Sequence, residues 1–169
     1  QYFHLLRRQA LLLDADPLPL FVLAPKSLLR HPAVLSRAID LADGRFESAI
    51  DDDQARGRAG SIERLVLCSG KVYVDVVTSE RRAATPAVAV ARVEQLYPFP
   101  EEEVAGMLAG YPNLREVAWL QEEPANMGAW EFVRPILEQA VAARGLPVHY
   151  VGRPRSASPS EGSAAWHTI

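Results

Sequence analysis

Gln121-Glu122-Glu123-Pro124-Ala125-Asn126-Met127-Gly128-Ala129-Trp130 joins an apolar run at 117–120 to an amphipathic segment that ends near Arg144. Proline restricts the residue before it, so Pro124 holds Glu123 in extended backbone. Gly128 lets the chain turn sharply or approach another segment closely. A turn between strand and helix lies at the carboxyl end of a strand, where open α/β sheets meet ligands and partners. Glu122, Glu123, Asn126 and Gly128 are the candidate residues here. They read as groups that fix the turn and an interface rather than as substrate contacts.

Working outward, short apolar runs recur at 20–24, 65–69, 87–93, 117–120 and 148–151. Continuous apolar runs bounded by turn signals read as strands buried on both faces. Helical spacing fills the gaps. Residues 2–13 place Phe3, Leu6, Ala10 and Leu13 on one face, with His4, Arg7 and Arg8 on another. A stretch opening at Gly70-Lys71 sets Val72, Tyr73, Val76 and Val77 to one side. Pro100 opens another, with Glu101, Glu102 and Glu103 in a first turn where they complement the helix dipole. Trp130, Val133, Leu137, Ala140 and Val141 form the last stripe, stopped by Gly145. Pro135 suits that helix only near its start. The alternation predicts one α/β domain over residues 1–169 with a largely parallel sheet, and an irregular tail over 152–169.

Of the 169 residues, 49% are apolar, enough to bury a core. A net charge of −3, mixed in sign, argues against a nucleic-acid surface. No apolar run has membrane-spanning length and no signal peptide opens the chain. The single cysteine, Cys68, cannot pair internally; it reads as a small buried hydrophobe, and the cytoplasm is the expected location. Asp51-Asp52-Asp53 lacks the alternation, glycine and distal glutamate of a calcium loop, and reads as a solvated acidic loop. Ser69-Gly70-Lys71 ends like a nucleotide-binding P-loop, but Val72 stands where Ser or Thr belongs and the upstream glycine is missing. No metal site is expected. Arg7, Arg8, Lys26, Ser27 and Arg30 form a basic set suited to phosphate or carboxylate, with interface salt bridges as the alternative. The chain starts inside a helix and stops without a terminating signal, and so reads as a fragment.

Several stretches, in order, resemble one family. They are Tyr2-Phe3-His4-Leu5-Leu6-Arg7-Arg8-Gln9, Pro25-Lys26-Ser27-Leu28-Leu29-Arg30-His31-Pro32, Leu67-Cys68-Ser69-Gly70-Lys71 and Val93-Glu94-Gln95-Leu96-Tyr97-Pro98-Phe99-Pro100. The opening stretch 121–130 and Tyr150-Val151-Gly152-Arg153-Pro154-Arg155-Ser156-Ala157-Ser158-Pro159 complete the set. Together they resemble the C-terminal domain of the E1 component of 2-oxoglutarate dehydrogenase. The resemblance implies a transketolase C-terminal-like fold: three layers, α/β/α, around a five-stranded, mostly parallel sheet with one antiparallel strand.

It also implies a parent enzyme of the tricarboxylic acid cycle, an oxidoreductase component using thiamine diphosphate and magnesium. That enzyme decarboxylates 2-oxoglutarate and succinylates a lipoyl group of the E2 succinyltransferase. The cofactor supplies the carbanion chemistry. In the family the cofactor site belongs to the two preceding domains, so this fragment is expected to hold no catalytic or cofactor-binding residue and no bound cofactor. The family's usual C-terminal end is expected to be missing after Trp166-His167-Thr168-Ile169. Implied partners are the preceding E1 domains, the second E1 subunit and E2, without nucleic acid or membrane. Some members suggest an acetyl-CoA or AMP effector site, for which Arg7, Arg8, Lys26, Ser27 and Arg30 are the candidates. The alternatives are a stand-alone nucleotide- or acyl-CoA-binding or assembly module, and the same domain of a 2-oxoadipate dehydrogenase.

Overall fold

The chain opens with α1 (Tyr2–Leu12), one residue shorter than its periodicity predicts. The computed structural model describes residues 1–15, 17–160 and 162, in two units, Gln1–Ser48 and Ala49–Ile169. In the first unit α1 buries the opposite side from that expected. Phe3, Leu6 and Leu13 are exposed, whereas His4 is 6% exposed and its Nε2 lies 3.0 Å from the Asp40 carbonyl. Two 3₁₀ turns follow, Lys26–Leu28 and Pro32–Val34, then α2 (Ala38–Ala42). The strand expected at 20–24 does not form in this unit. Phe21 is 87% exposed and Leu23 fully exposed, on a segment without helix or ladder. A strand needs a neighbour's N–H and C=O groups as well as apolar side chains.

The second unit holds the sheet. Its elements are β1 (Ala49–Ile50), α3 (Asp53–Arg56), β2 (Arg64–Cys68), α4 (Lys71–Val77), β3 (Val88–Val93), α5 (Glu101–Gly110), β4 (Glu116–Pro124), α6 (Trp130–Val141) and β5 (Val148–Arg153). The strand order is β1-β3-β2-β4-β5. β1 runs antiparallel to β3, and all other pairings are parallel. Five strands were expected and five are present among the described residues, but Ala49–Ile50 takes the place of 20–24.

Strand alternation sorts the core. Leu65 and Leu67 of β2, Ala89, Ala91 and Val93 of β3, and Val117 and Trp119 of β4 share one buried cluster with Val104, Met107 and Leu108 of α5 and Val133, Leu137 and Val141 of α6. The intervening residues face the other way, where Val90 and Ala118 are buried and α4 packs on β3 and β4 through Val74. On that face the Arg92 guanidinium stacks 4.7 Å from the Tyr73 ring centroid. The unit is therefore three-layered, as the resemblance implied. Pro100 caps α5 rather than opening it. Pro135 sits inside α6 on its exposed side, further in than expected. Gly145, at φ 63°, ends the following 3₁₀ turn, Ala142–Arg144, as predicted.

Asp51 and Asp52 do not lie in a solvated loop, whereas Asp53 is exposed in the first turn of α3. Asp52 is buried: its Oδ1 accepts the Gln54 and Ala55 N–H groups at 3.1 Å, and its Oδ2 accepts Arg82 Nη2 at 2.6 Å and Val90 N–H at 3.0 Å. β1 stops opposite Arg92, so the Asp52 carboxylate takes over from backbone as the partner of the next outward-facing β3 amide. Asp51 accepts the Tyr111 hydroxyl at 2.6 Å and Arg56 Nε at 3.0 Å.

Candidate functional site

The turn after β4 is built around Gln121, which is 5% exposed. Its Oε1 accepts Trp119 Nε1 at 2.9 Å, Ala129 N–H at 3.1 Å and Trp130 N–H at 2.9 Å. Its Nε2 donates to the Met127 carbonyl at 2.7 Å. The first turn of a helix leaves free N–H donors, and here a side chain from the preceding strand satisfies two of them. Gly128 lies at φ 64°, and a Cβ there would stand 2.8 Å from Gln121 Nε2. A Cβ on Gly152 would stand 2.5 Å from the Tyr150 hydroxyl and 2.7 Å from the Gln121 carbonyl. Two glycines thus admit the two polar side chains that fix the turn. The Tyr150 hydroxyl lies 2.8 Å from the carbonyls of both Glu123 and Arg153, and its ring packs against Trp130 at 5.4 Å.

Asn126 makes a two-way bond with the tail: its Nδ2 donates to the Ser156 carbonyl at 3.0 Å, and its Oδ1 accepts the Ser156 N–H at 2.9 Å. Arg155 Nη1 lies 3.4 Å from Glu131 Oε1. The expected irregular tail is thus strand through Arg153 and is tied to the turn at Ser156. The expectation about Trp166, His167, Thr168 and Ile169 lies outside the described residues. Glu122 projects toward Lys71, whose Nζ lies 3.7 Å from Glu122 Oε1 and also pairs with Asp75. The Asp75 hydrogen bond holds the Lys71 ammonium above its ordinary pKa, against the opposing effect of burial, and Glu122 adds a smaller Coulombic contribution. Glu123 accepts hydrogen bonds through its carbonyl. Burial raises the pKa of the Tyr150 hydroxyl, and the Glu123 charge adds to that.

The Lys71–Glu122 pair lies where the sheet's connections part. β2 leads through α4 to β3 on one side, and β4 leads through α6 to β5 on the other, so the connections diverge at the carboxyl ends of β2 and β4. That is the topological switch point, the usual ligand position in such sheets.

The lone thiol and the Tyr111 hydroxyl are shielded or engaged. Cys68 is fully buried, and burial pushes its thiol up to about 12. Tyr111 is raised by burial and by its bond to Asp51. A cleft of about 480 Å³ beside Tyr111 is lined by Asp51, Arg56, Glu103 and Met107 as well. A second cleft, lined by Gln54, Arg58, Glu80 and Arg82, places Arg58 Nη1 2.6 Å from the Pro86 carbonyl and Arg82 on Asp52. Among the described residues no three His, Cys, Asp or Glu side chains converge to hold a metal, and no helix is long and apolar enough to cross a membrane.

Arg7 Nη2 donates to the Gly44 carbonyl at 3.2 Å, and its guanidinium lies 5.9 Å from the Phe3 ring centroid. Arg8, Lys26, Ser27 and Arg30 are exposed, and their side chains make no hydrogen bond or ion pair among the described residues. No such bond joins the α1 pair to the 26–30 turn. Sequence reasoning placed Gln121 in the decisive stretch but gave it no role. Its signal was the pairing of a Gln with a Gly seven residues on and a Trp two residues before it.

An α/β unit with a mainly parallel sheet and a hydrogen-bonded turn at the carboxyl end of a central strand is a doubly wound open-sheet domain. The 2-oxoglutarate dehydrogenase C-terminal family model matches residues 35–169, and the chain belongs to that family. It is 44% identical over 169 residues to the 2-oxoglutarate dehydrogenase E1 component of Geobacillus kaustophilus (strain HTA426), covering 99% of this chain and 18% of that protein. Its identity to the 2-oxoglutarate dehydrogenase E1 component of Bacillus mycoides (strain KBAB4) is 42% over 172 residues, with the same coverage. The chain thus spans about a fifth of the length of the curated relatives it matches.

Proposed function

We propose that this chain is the C-terminal architectural part of an E1 component that decarboxylates 2-oxoglutarate and passes the succinyl unit to the lipoyl group of E2. The observation that carries the reading is collinear identity of 44% along the whole chain with a protein of that name. In that setting thiamine diphosphate and magnesium supply the carbanion chemistry. The donor set found here does not suit them: Asp51 and Asp52 are engaged by Arg82, Arg56, Tyr111 and backbone amides, and no metal-binding cluster converges among the described residues. The decarboxylation then falls to residues of the longer polypeptide outside this chain.

What the chain contributes is placement. Gln121, Asn126, Gly128 and Tyr150 hold the turn and tail as one rigid surface, suited to pack against the preceding domains and a second E1 subunit. Burial of the lone Cys68 as a thiol fits a cytoplasmic enzyme. The test is turnover by the longer polypeptide with thiamine diphosphate, magnesium and a lipoyl acceptor. Preference for 2-oxoglutarate supports the reading, and preference for 2-oxoadipate or no oxo-acid turnover overturns it.

An effector role is a second reading, favoured by the exposure of four basic-set side chains, Arg8, Lys26, Ser27 and Arg30. These would grip the phosphates of acetyl-CoA or AMP, with Arg7 alongside. Calorimetric titration with each nucleotide tests it. Binding lost in Arg30→Ala supports the site, and at a hundredfold excess over Kd it stabilises the fold by about 2.7 kcal/mol. Absence of binding to the longer polypeptide removes it.

A further inference from the structure

Arg58 is a half-buried cation without an anion. It follows α3, and its Nη1 donates to the Pro86 carbonyl at 2.6 Å. Among the described residues that carbonyl is the only hydrogen-bond partner of its side chain, and no carboxylate pairs with it. Taking a charge partly out of water is costly unless it is paired, and a neutral carbonyl compensates only in part. Nε and Nη2 form the edge of a guanidinium that carries two parallel N–H donors, the edge that grips a carboxylate or phosphate in two places. On Arg58 that edge has no protein partner among the described residues.

Arg58 lines a cleft of about 480 Å³ within the second unit, together with Gln54, Ser79, Glu80 and Arg82. Arg82 is fixed there: its Nη2 lies 2.6 Å from Asp52 Oδ2, and its Nη1 donates to the Val88 carbonyl at 3.0 Å and the Thr85 carbonyl at 3.3 Å. The two guanidiniums thus hold one segment, 85–88, between them. Asp52 neutralises Arg82, so the cation left over in the lining is Arg58, opposed by the exposed Glu80. Neutral donors stand beside it. The Gln54 side-chain amide has no partner among the described residues. The Ser79 oxygen accepts the Arg81 N–H at 3.3 Å, which leaves its own hydrogen free to donate. Val77 and Pro86 supply an apolar wall.

We propose that this cleft binds the phosphate group of a small phosphorylated molecule. The Nε–Nη2 edge of Arg58 takes two phosphate oxygens, and Gln54 and Ser79 donate to the third. A carboxylate offers two oxygens to these three donor groups and matches them less well. Glu80 favours a ligand whose body carries a hydroxyl donor and repels one with a second anionic group. The uncharged part of the ligand lies against Val77 and Pro86.

Two-dimensional amide NMR of the 169-residue chain tests this, with inorganic phosphate as the probe at constant ionic strength. Saturable shifts of the Gln54, Arg58, Ser79 and Glu80 amides with one shared Kd are expected. Arg58→Ala weakens that binding about tenfold or more while the amides of β2 and β4 keep their positions. Arg58→Lys keeps the charge but not the two-donor edge, and recovers only part of the affinity. Succinate, the carboxylate control, binds more weakly than phosphate. Shifts confined to Arg8, Lys26 and Arg30 overturn the proposal by placing the anion on the other basic set. Absence of a saturable shift, or affinity unchanged in Arg58→Ala, overturns it as well. Succinate binding as tightly as phosphate overturns the assignment of phosphate.

Discussion

Gln121 Oε1 accepts the Trp130 backbone N–H at 2.9 Å, so α6 is capped by the strand that precedes it rather than by its own first residue. Ala129, at the cap position, has no side chain that could do so. Gln121→Ala orphans the Trp119 indole N–H, two helix amides and the Met127 carbonyl. Each unmet buried polar group costs about 1–3 kcal/mol, with water recovering part of it. A loss of at least about 3 kcal/mol in denaturant unfolding is expected. A loss under 1 kcal/mol would show that the bonds are dispensable.

Gly128→Ala strains a left-handed backbone position, costing about 1–2 kcal/mol, and drives the new methyl into the Gln121 amide. The two effects separate in a double-mutant cycle. With Gln121→Ala in place the collision is gone, so the combined loss falls short of the sum. Strict additivity would mean that Gly128 answers only to backbone conformation.

Asp52→Ala leaves Arg82, whose side chain is 14% exposed, without its carboxylate, and strips the Val90 amide and the α3 cap. Breaking a buried pair in this way costs about 3–5 kcal/mol. Thermal unfolding followed by circular dichroism reads the effect. An unchanged midpoint would return Asp52 to a solvated role.

Burial raises the Cys68 thiol from an ordinary 9.0 to about 12, with Glu94 adding to the shift and Arg92 opposing it. The native state therefore keeps a proton that the unfolded chain loses above pH 9. By linkage, this contribution to stability is complete below that pH and declines as pH rises toward about 12. Cys68→Ala should flatten the alkaline fall in unfolding free energy, and native Cys68 should resist alkylation at pH 8. Rapid native alkylation would contradict its burial.

Much of the sheet was legible because β2, β3, β4 and β5 each carry an apolar run bounded by turn residues. β1 was not: two residues, Ala49 and Ile50, have no pattern of their own and are strand only because Val93 and Arg92 lie opposite. The run at 20–24 misled for the converse reason, since apolarity records the need for burial and not the presence of a partner. Asp52 was misread because the partners that bury it, Arg82 and Val90, lie far along the chain. In the turn, Gly128 and Asn126 drew the eye by residue type, whereas Gln121 did not, because amide side chains acquire roles only from the groups the fold brings to them. Proximity in sequence of Glu122 and Glu123 suggested a shared role, yet one reaches Lys71 and the other contributes a carbonyl.

The central claim is that this chain supplies architecture to an E1 polypeptide and leaves the cofactor to other domains. Calorimetric titration of the 169-residue chain with thiamine diphosphate and magnesium tests it most directly. The account predicts no saturable heat. Saturable binding at one site per chain would contradict it and place cofactor chemistry within these residues.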